Sequence, residues 1–304
     1  MNPTFHQLQV ELFKLFNEQK FHEVDKHIEE VERLYPKRQE KTLFWKACAA
    51  ARQGKIERAI STLYNGIENG IWWNRYTLTN DPDLTSLQSE DTFKQLIEEC
   101  DHMFKQEQKI SRTQLHVYGN PDADTSIFTL HWRGSNNHDF APYWLDEKTE
   151  NYQFAFLQSS QIYGYQSYCW DNQSQANDDI ATNLQTYISE NKQRKVVIAG
   201  ASQGGKLAIQ TALSNQFSEV NQFIAVIPSI SDLTSFETLI TEVTHPIKGY
   251  IITGDKDPFY QQTVTLFERF KDTNIDCQLL VKQELGHYFP QDFPSLLSIA
   301  LKQM

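Results

Sequence analysis

The sequence predicts an α/β protein, in which a mostly parallel sheet with helices on both faces is preceded by a small all-α domain. Three observations support this fold class. Residues 1–108 show helical periodicity and almost no strand pattern, whereas residues 114–304 alternate short apolar strands with helices. The polar stretch KQEQKISRT, residues 105–113, separates the two halves. Strands that alternate with helices favour a parallel sheet, because each crossover helix covers one face. We therefore predict domains at 1–108 and 114–304.

The first half contains two predicted helix pairs. Apolar residues recur at helical spacing in four segments, with Pro36 and Gly54 at turns: Leu8, Leu12, Leu15 and Phe16; Val24, Ile28 and Val31; Leu43, Ala47 and Ala50; Ile56, Ala59, Ile60 and Leu63. Val24 and Ala59 are equivalent positions 35 residues apart, close to the period of about 34 residues in tetratricopeptide repeats. The fragment ARQGKIERA, residues 51–59, resembles the middle of such a repeat, although neither pair keeps the full pattern.

A third helical segment, residues 91–108, is predicted to cap the two pairs, since loose repeats need neighbours that cover their apolar faces. A generic bundle of helical hairpins is the alternative interpretation. Trp72 and Trp73 are expected to be buried at the domain interface, with a binding groove as the alternative. We interpret this half as a scaffold or docking surface, open to a protein partner or to self-association.

The second half contains seven predicted strands, at residues 114–119, 126–132, 152–158, 195–199, 222–228, 248–254 and 276–282. Helical patterns lie between most of them, around residues 137–148, 176–191, 204–216, 232–242 and 259–271.

The composition excludes several classes of function. A net charge of −11 and a pI near 5.3 argue against a general binder of nucleic acid or anionic membranes, because both need basic patches. The first residues lack the pattern of a secretory signal, and no apolar run approaches the roughly 20 residues of a membrane helix. The four cysteines are far apart, with no C-x-x-C pair, which favours free thiols over a metal site. We expect a soluble, cytoplasmic protein without a metal or cofactor.

The stretch VVIAGASQGGKLAIQTAL, residues 196–213, joins a strand to a helix through glycines. It allows two interpretations, a phosphate-binding P-loop or a G-x-S-x-G turn that exposes a nucleophilic serine. A P-loop needs a hydroxyl directly after its lysine to bind magnesium, and that position is Leu207. The nucleophile interpretation is therefore favoured, with Ser202 as the nucleophile.

A nucleophilic serine needs a histidine to remove its proton and a carboxylate to orient that histidine. On sheets of this kind the chain order is serine, acid, histidine, each after a strand end. Asp257 follows the sixth predicted strand and His287 follows the seventh. Asp255 is a rival acid that could instead cap the next helix. His245 is a rival histidine, but it precedes a strand and would lie at the wrong edge of the sheet.

These motifs resemble the phospholipase/carboxylesterase branch of the α/β-hydrolases, which includes acyl-protein thioesterases. The resemblance spans residues 114–302 and includes GASQGG, LHWRGS (residues 130–135), the G-x-x-D loop that ends at Asp257, the Gly286-His287 pair, and Trp170-Asp171. It implies that Ser202 attacks an acyl carbonyl while the backbone N–H groups of Gln203 and Arg133 bind the oxyanion.

In this sequence Trp132 replaces the glycine of the family motif beside the second donor. His131 is expected to be structural, hydrogen-bonded beneath the oxyanion loop. The guanidinium of Arg133 could also bind an anionic group of the substrate.

The substrate pocket is predicted from the loops around Ser202. Only one helix fits between the fifth and sixth strands, so a cover must come from the loop at residues 159–175 or from the helical domain. Trp132, Arg133, Tyr163 and Trp170 are candidate substrate contacts. The polar loop favours a serine esterase or thioesterase for modest-sized acyl groups. The alternatives are a peptidase or lactonase on the same triad, or a helical-repeat adaptor with a degenerate hydrolase domain.

Overall fold

The two halves of the sequence form separate units in the computed structural model, which describes residues 3, 5–146, 149–191, 195–217 and 219–304. The first unit, Met1–Ile110, is helical, and the second, Ser111–Met304, holds the sheet.

The first unit consists of six α-helices and one short 3₁₀-helix within the described residues. The 3₁₀-helix is Pro82–Leu87, and the α-helices are α1 Phe5–Asn17, α2 Phe21–Leu34, α3 Gln39–Arg52, α4 Ile56–Glu68, α5 Arg75–Asn80 and α6 Asp91–Ile110.

The first four helices pack as the two predicted pairs, α1 on α2 and α3 on α4. Their equivalent positions are buried alike: Val24 and Ala59 are fully buried, as are Ile28 and Leu63. The offset read from the sequence therefore corresponds to the same inward-facing positions in the two pairs.

The tryptophan pair is buried and hydrogen-bonded within the helical unit, which confirms the expected burial and contradicts the groove alternative. Trp72 is fully buried, and its indole N–H donates to a carboxylate oxygen of Glu107 at 2.8 Å. The indole N–H of Trp73 donates to the backbone carbonyl of Glu40, also at 2.8 Å. Both partners belong to the same unit, so these side chains act as core residues.

The second unit is built on a seven-stranded sheet in the order β1-β3-β2-β6-β7-β8-β9. Only β1 runs antiparallel, against β3. The strands are β1 Gln114–Gly119, β2 Thr125–Leu130, β3 Gln153–Gln158, β6 Lys195–Ala201, β7 Gln222–Val226, β8 Ile247–Gly254 and β9 Ile275–Lys282. All seven predicted strands are confirmed, and so is the predicted fold class.

A small antiparallel hairpin, β4 Gln161–Gly164 and β5 Ser167–Cys169, was missed by the sequence analysis. It occupies the stretch interpreted as a polar loop. The two strands are only four and three residues long, too short to show an alternation of apolar and polar residues in the sequence. They form a sheet of their own and do not join the main sheet.

Six α-helices accompany the sheet in the described residues: α7 Asn137–Phe140, α8 Gln173–Glu190, α9 Gln203–Leu213, α10 Thr234–Glu242, α11 Tyr260–Phe270 and α12 Phe293–Gln303. The helix predicted at 137–148 is shorter than expected and passes into a 3₁₀ turn at Ala141–Tyr143. Pro142 has no N–H to continue an α-helical ladder. Residues 147 and 148 lie outside the described residues, and α12 was not predicted.

The sheet separates two apolar cores, as its strands alternate their side chains between the faces. Phe128, Ile198 and Ile251 pack on one face with residues of α8 to α11. Their chain neighbours on the opposite face pack with α7 and α12. Burial on both faces explains why the central strands read as continuous apolar runs. No helix of the described residues combines the length and apolar character needed to cross a membrane.

Replacing Gly66 by alanine should destabilise the helical unit. A Cβ atom there would lie 2.3 Å from a ring atom of Trp73, whose indole is fixed by its hydrogen bond to Glu40. Overpacking typically costs about 1–3 kcal/mol, whereas alanine gains about 1 kcal/mol of helix propensity over glycine. We expect a net loss of about 1 kcal/mol in the free energy of unfolding, measured by urea unfolding followed by tryptophan fluorescence. Ser61→Ala on the exposed side of α4 is the control, and a Gly66→Ala protein as stable as that control would contradict the packing argument.

Candidate active site

The candidate nucleophile lies on a sharp turn between β6 and α9. Ser202 follows the last residue of β6 and precedes the first residue of α9, with φ 54° and ψ −116°. A positive φ is uncommon for any residue other than glycine, and it marks strain that the surrounding structure must hold. The backbone N–H of Ser202 donates to the carbonyl of Val226 on β7 at 3.0 Å, which fixes the turn to the neighbouring strand.

Both glycines of the G-x-S-x-G motif are required by backbone contacts. A Cβ on Gly204 would lie 2.1 Å from the carbonyl oxygen of Leu130, the last residue of β2. A Cβ on Gly200 would lie 2.3 Å from the carbonyl oxygen of Gly204. Backbone atoms cannot move aside as a flexible side chain can, so the first turn of α9 reaches β2 and β6 only without these Cβ atoms.

Three side chains from the carboxyl ends of β6, β8 and β9 form a continuous line of hydrogen bonds. The Ser202 hydroxyl Oγ lies 2.9 Å from Nε2 of His287. Nδ1 of His287 lies 2.8 Å from Oδ2 of Asp257. A carboxylate can only accept, so Nδ1 carries the proton and Nε2 is left to accept from the hydroxyl. The Asp257 side chain is fully buried, whereas that of His287 is 29% exposed.

Asp257 is oriented by its own loop. Its second oxygen, Oδ1, accepts from the backbone N–H of Phe259 at 2.8 Å. The Phe259 ring also meets the imidazole of His287 edge-on, with 5.2 Å between ring centroids. The buried carboxylate therefore has a partner on each oxygen, and the histidine ring is held from two sides.

The rival residues of the sequence analysis take other positions. Oδ1 of Asp255 accepts from the backbone N–H of Glu284 at 2.7 Å, so this carboxylate holds the turn that leads to the His287 loop. Glu284 has φ 58°, a conformation that needs such support. His245 lies between α10 and β8, at the amino end of β8, whereas the three converging side chains lie beyond carboxyl ends.

The two amides assigned to the oxyanion come from different elements. Gln203 is the first residue of α9, and Arg133 lies in the loop after β2. Neither backbone N–H donates to another group within the described part of the chain. The amide of Gln203 also belongs to a helix N-terminus, where the helix dipole favours negative charge.

The side chains of these two residues meet at Asp171. Arg133 donates to both oxygens of that carboxylate, through Nε at 2.9 Å and Nη2 at 2.8 Å. Its hydrogen bonds to Arg133 are the main reason that the pKa of Asp171 lies below its usual value. Because two of its three nitrogens are already bound, the guanidinium is engaged rather than free for a substrate anion. In the sequence, Asp171 stands out only as part of the Trp170-Asp171 motif.

The other candidate substrate contacts are placed unequally. Trp132 is half-buried, and its ring packs edge-on against Phe140 and Tyr143. The Tyr163 ring, on β4, lies 4.5 Å from the Arg133 guanidinium carbon. Trp170 is 4% exposed and donates its indole N–H to the carbonyl of His131 at 2.9 Å. That burial corrects its assignment, since it leaves Trp170 beneath the loop rather than open to a substrate.

The β4–β5 hairpin is joined to the loop that carries Arg133. The N–H of Gly134 donates to the carbonyl of Tyr168, and the N–H of Tyr168 donates to the carbonyl of Ser135, both at 2.8 Å. These reciprocal bonds extend the hairpin by one bridge. The stretch that the sequence analysis treated as a cover is therefore bonded to the oxyanion loop.

His131 is fully buried below the same loop, as expected for a structural residue. Its Nδ1 lies 2.8 Å from the carbonyl oxygen of Trp132, and its Nε2 accepts from the backbone N–H of Ser159 at 3.2 Å. These partners require the neutral ring with the proton on Nδ1. Burial lowers the pKa of His131 to about 4.

One group of potential metal ligands occurs in the described residues, and it lies in the helical unit. Cys48, Asp81 and Asp83 come together there. Asp81 accepts from the backbone N–H of Asp83 at 2.9 Å, and Asp83 pairs with Arg52 at 3.5 Å. Burial raises the pKa of the Cys48 thiol far above its usual value. Protein contacts thus account for the two carboxylates, and the thiol is buried.

Two family models match the chain. The model described as the A/B hydrolase-like N-terminal domain matches residues 4–108, and the dienelactone hydrolase family model matches residues 157–299. The second match includes the G-x-S-x-G turn at Ser202 and the loops that carry Asp257 and His287. The second unit has the α/β-hydrolase fold. Together the two models support a hydrolase.

Solved structures resemble both the hydrolase domain and the whole chain. An uncharacterized protein from Bacillus cereus ATCC 10987 is 25% identical, with a TM-score of 0.54 over 99% of this chain and 98% of its own. Esterase PE8 is 19% identical, with a TM-score of 0.55 over 63% of this chain and 99% of its own. An S-formylglutathione hydrolase from Agrobacterium tumefaciens is 15% identical, with a TM-score of 0.51 over 64% and 89%. The last two show the fold of the hydrolase domain. A search of curated proteins finds no match.

The buried histidine should make the hydrolase domain sensitive to acid. The pKa of His131 is about 4 in the folded protein and about 6.5 in the unfolded chain. Between these pH values the unfolded chain binds a proton at His131 that the native protein does not bind. Stability is therefore present above pH 6.5 and falls as the pH drops towards 4, by roughly 3 kcal/mol. Urea unfolding at several pH values should show that the free energy of unfolding depends less steeply on pH in His131→Asn than in the wild type. His116→Asn, at an exposed position of β1, should keep the wild-type slope, and equal slopes in all three proteins would contradict the assignment.

Proposed function

We propose that this protein is a serine hydrolase that cleaves carboxylic esters or thioesters of modest-sized acyl groups. The observation that supports the proposal most directly is the hydrogen-bonded line from Ser202 through His287 to Asp257, with distances of 2.9 and 2.8 Å. A serine hydroxyl is a weak nucleophile unless such a base accepts its proton. The strained turn at Ser202 presents the hydroxyl to a reacting carbonyl at the end of the sheet.

The reaction proceeds in two halves. Oγ of Ser202 attacks the acyl carbonyl while Nε2 of His287 takes the hydroxyl proton, and the buried carboxylate of Asp257 stabilises the imidazolium that forms. The tetrahedral intermediate collapses, the bond to the alcohol or thiol breaks, and His287 returns the proton to that leaving group. Water then attacks the acyl-serine with the same histidine as base, which releases the acid and restores the hydroxyl.

The oxyanion is bound by the backbone N–H groups of Gln203 and Arg133. Both amides are without another partner in the described residues, and one belongs to a helix N-terminus. Donors that already point at the developing charge stabilise the transition state without reorganisation. Loss of one such donor typically lowers kcat by roughly 10²- to 10³-fold.

The substrate class is argued from what surrounds the serine. The connection between β7 and β8 contains the single nine-residue helix α10, which is too little chain for a large inserted lid. The half-buried Trp132 and the stacked pair of Arg133 and Tyr163 supply apolar and aromatic surface beside the oxyanion loop. Bulky side chains at these positions favour a substrate with an acyl group of modest size over one with a long acyl chain. The esterase names among the structural neighbours agree with this class of substrate.

Lactone cleavage is the second candidate, because the description of the family matched at residues 157–299 is dienelactone hydrolase. A lactone is a cyclic ester, so the same triad would open it, with the leaving alcohol tethered to the acyl-enzyme. The two candidates differ only in pocket shape. A peptidase, and an adaptor with a degenerate hydrolase domain, remain as outcomes of the experiment below.

A fluorophosphonate probe and a series of substrates would test the proposal. We expect wild-type protein to be labelled, to turn over p-nitrophenyl esters of two to eight acyl carbons with a preference for the short chains, and to lose both properties in Ser202→Ala. Simple lactones and p-nitroanilides assayed in parallel would identify lactonase or peptidase activity. The exposed substitution Ser61→Ala controls for preparation. A wild-type protein that is neither labelled nor active on any substrate would favour the adaptor.

The identity of the acid can be tested with two matched substitutions. Asp257→Asn removes the acceptor that sets the tautomer of His287, so kcat should fall by roughly 10³- to 10⁴-fold. Asp255→Asn keeps an oxygen that can accept from the N–H of Glu284, so its kcat should remain within a few fold of wild type. The assay is ester turnover at saturating substrate, and the reverse ranking would assign the acid role to Asp255.

A further inference from the structure

We propose that Asp171 is a positioning residue that fixes both backbone amides of the oxyanion hole, because its carboxylate binds the side chains of the two residues that carry them. This inference rests on the proposed function, since it concerns the geometry in which Ser202 would act. Asp171 follows β5 and lies outside the line of Ser202, His287 and Asp257, so it would act only through Arg133 and Gln203.

One carboxylate joins two separate elements. Oδ1 of Asp171 accepts from Nε of Arg133 at 2.9 Å and from Nε2 of Gln203 at 2.7 Å. Oδ2 accepts from Nη2 of Arg133 at 2.8 Å. Arg133 belongs to the loop after β2 and Gln203 to the first turn of α9, and these contribute one amide each.

Both polar atoms of the Gln203 side-chain amide are hydrogen-bonded. While its Nε2 donates to Asp171, its Oε1 accepts from the backbone N–H of Trp170 at 3.1 Å. The side chain is therefore held by two consecutive residues, Trp170 and Asp171. Trp170 is in turn held by its indole bond to the carbonyl of His131, directly before the Trp132-Arg133 segment.

The Arg133 side chain is also held by two contacts. Its guanidinium forms a two-nitrogen fork on Asp171 and stacks over the ring of Tyr163. The loop that carries Arg133 has no regular secondary structure, so its amide direction depends on these side-chain contacts together with the backbone bonds of Gly134 and Ser135 to Tyr168. A misplacement of about 1 Å in a reacting geometry can cost roughly 100-fold in rate.

The charge balance supports a positioning role over a binding role. A lone carboxylate beside the oxyanion would repel the developing negative charge, but Arg133 neutralises it. Hydrogen bonds from Arg133 are the first cause of the lowered pKa of Asp171, so the pair remains ionised in neutral solution. Both side chains are 44% exposed, and ion pairs that exposed contribute little to folding stability. The pair is thus better explained by geometry than by stability.

Kinetics of Asp171→Ala in the full chain would test the inference. We expect kcat for p-nitrophenyl acetate to fall by roughly 10- to 100-fold while KM stays within about threefold, because only the transition state carries the oxyanion. The inhibition constant of a trifluoromethyl ketone, whose adduct with the serine carries an oxyanion, should rise by the same factor as kcat/KM falls. Asp171→Asn should recover part of kcat, since its carbonyl can still accept from Gln203.

A matched control is Asp292→Ala, which removes a partly exposed carboxylate paired with Lys282 and touches neither Arg133 nor Gln203. It should retain wild-type kcat and inhibitor affinity, and all three variants should unfold at temperatures close to wild type. The inference is overturned if Asp171→Ala matches the control, or if it raises KM alone, which would indicate substrate binding. A wild-type enzyme without Ser202-dependent turnover would instead overturn the proposed function, and the positioning role with it.

Discussion

The arrangement of the second unit depends on one close approach, where the first turn of α9 lies against the end of β2. The contact is made without a Cβ at Gly204, which would lie 2.1 Å from the Leu130 carbonyl. It forces the chain from β6 into α9 through the strained conformation of Ser202. It also brings the amide of Gln203 next to the loop that follows Leu130. The nucleophile and both proposed oxyanion donors therefore derive their positions from the same backbone contact.

The parallel sheet supplies the rest of the site. Because β6, β8 and β9 run in the same direction, their carboxyl ends lie at one edge and their following loops can meet. The buried carboxylate of Asp257 then fixes the tautomer of His287, and Asp255 holds the turn before it. Two aspartates two residues apart thus act on the same loop, one through the imidazole and one through the backbone.

Much of this organisation could be predicted from the sequence, for identifiable reasons. The central strands are buried on both faces, so their apolar runs are unambiguous, and the glycine pattern around Ser202 leaves few conformations. The placement of Asp257 and His287 followed from strand order alone. The β4–β5 hairpin was missed because its strands are short and carry polar residues. Trp170 was misassigned because burial by a partner 39 residues away, the carbonyl of His131, leaves no local signal. The fork of Arg133 on Asp171 depends on tertiary placement in the same way.

The reciprocal bonds between Tyr168 and the segment Gly134–Ser135 couple two properties that enzymes commonly vary independently. In this protein the hairpin carries Tyr163, whose ring contacts the Arg133 guanidinium, and it is also bonded to the backbone that would bind the oxyanion. Inserting or deleting a residue in the hairpin would shift its register and move that backbone with it. A hairpin that changes in evolution to accept a new acyl group must therefore preserve the register of the bridge between Ser135 and Tyr168. A change of that register would displace an oxyanion donor and lower the rate of catalysis.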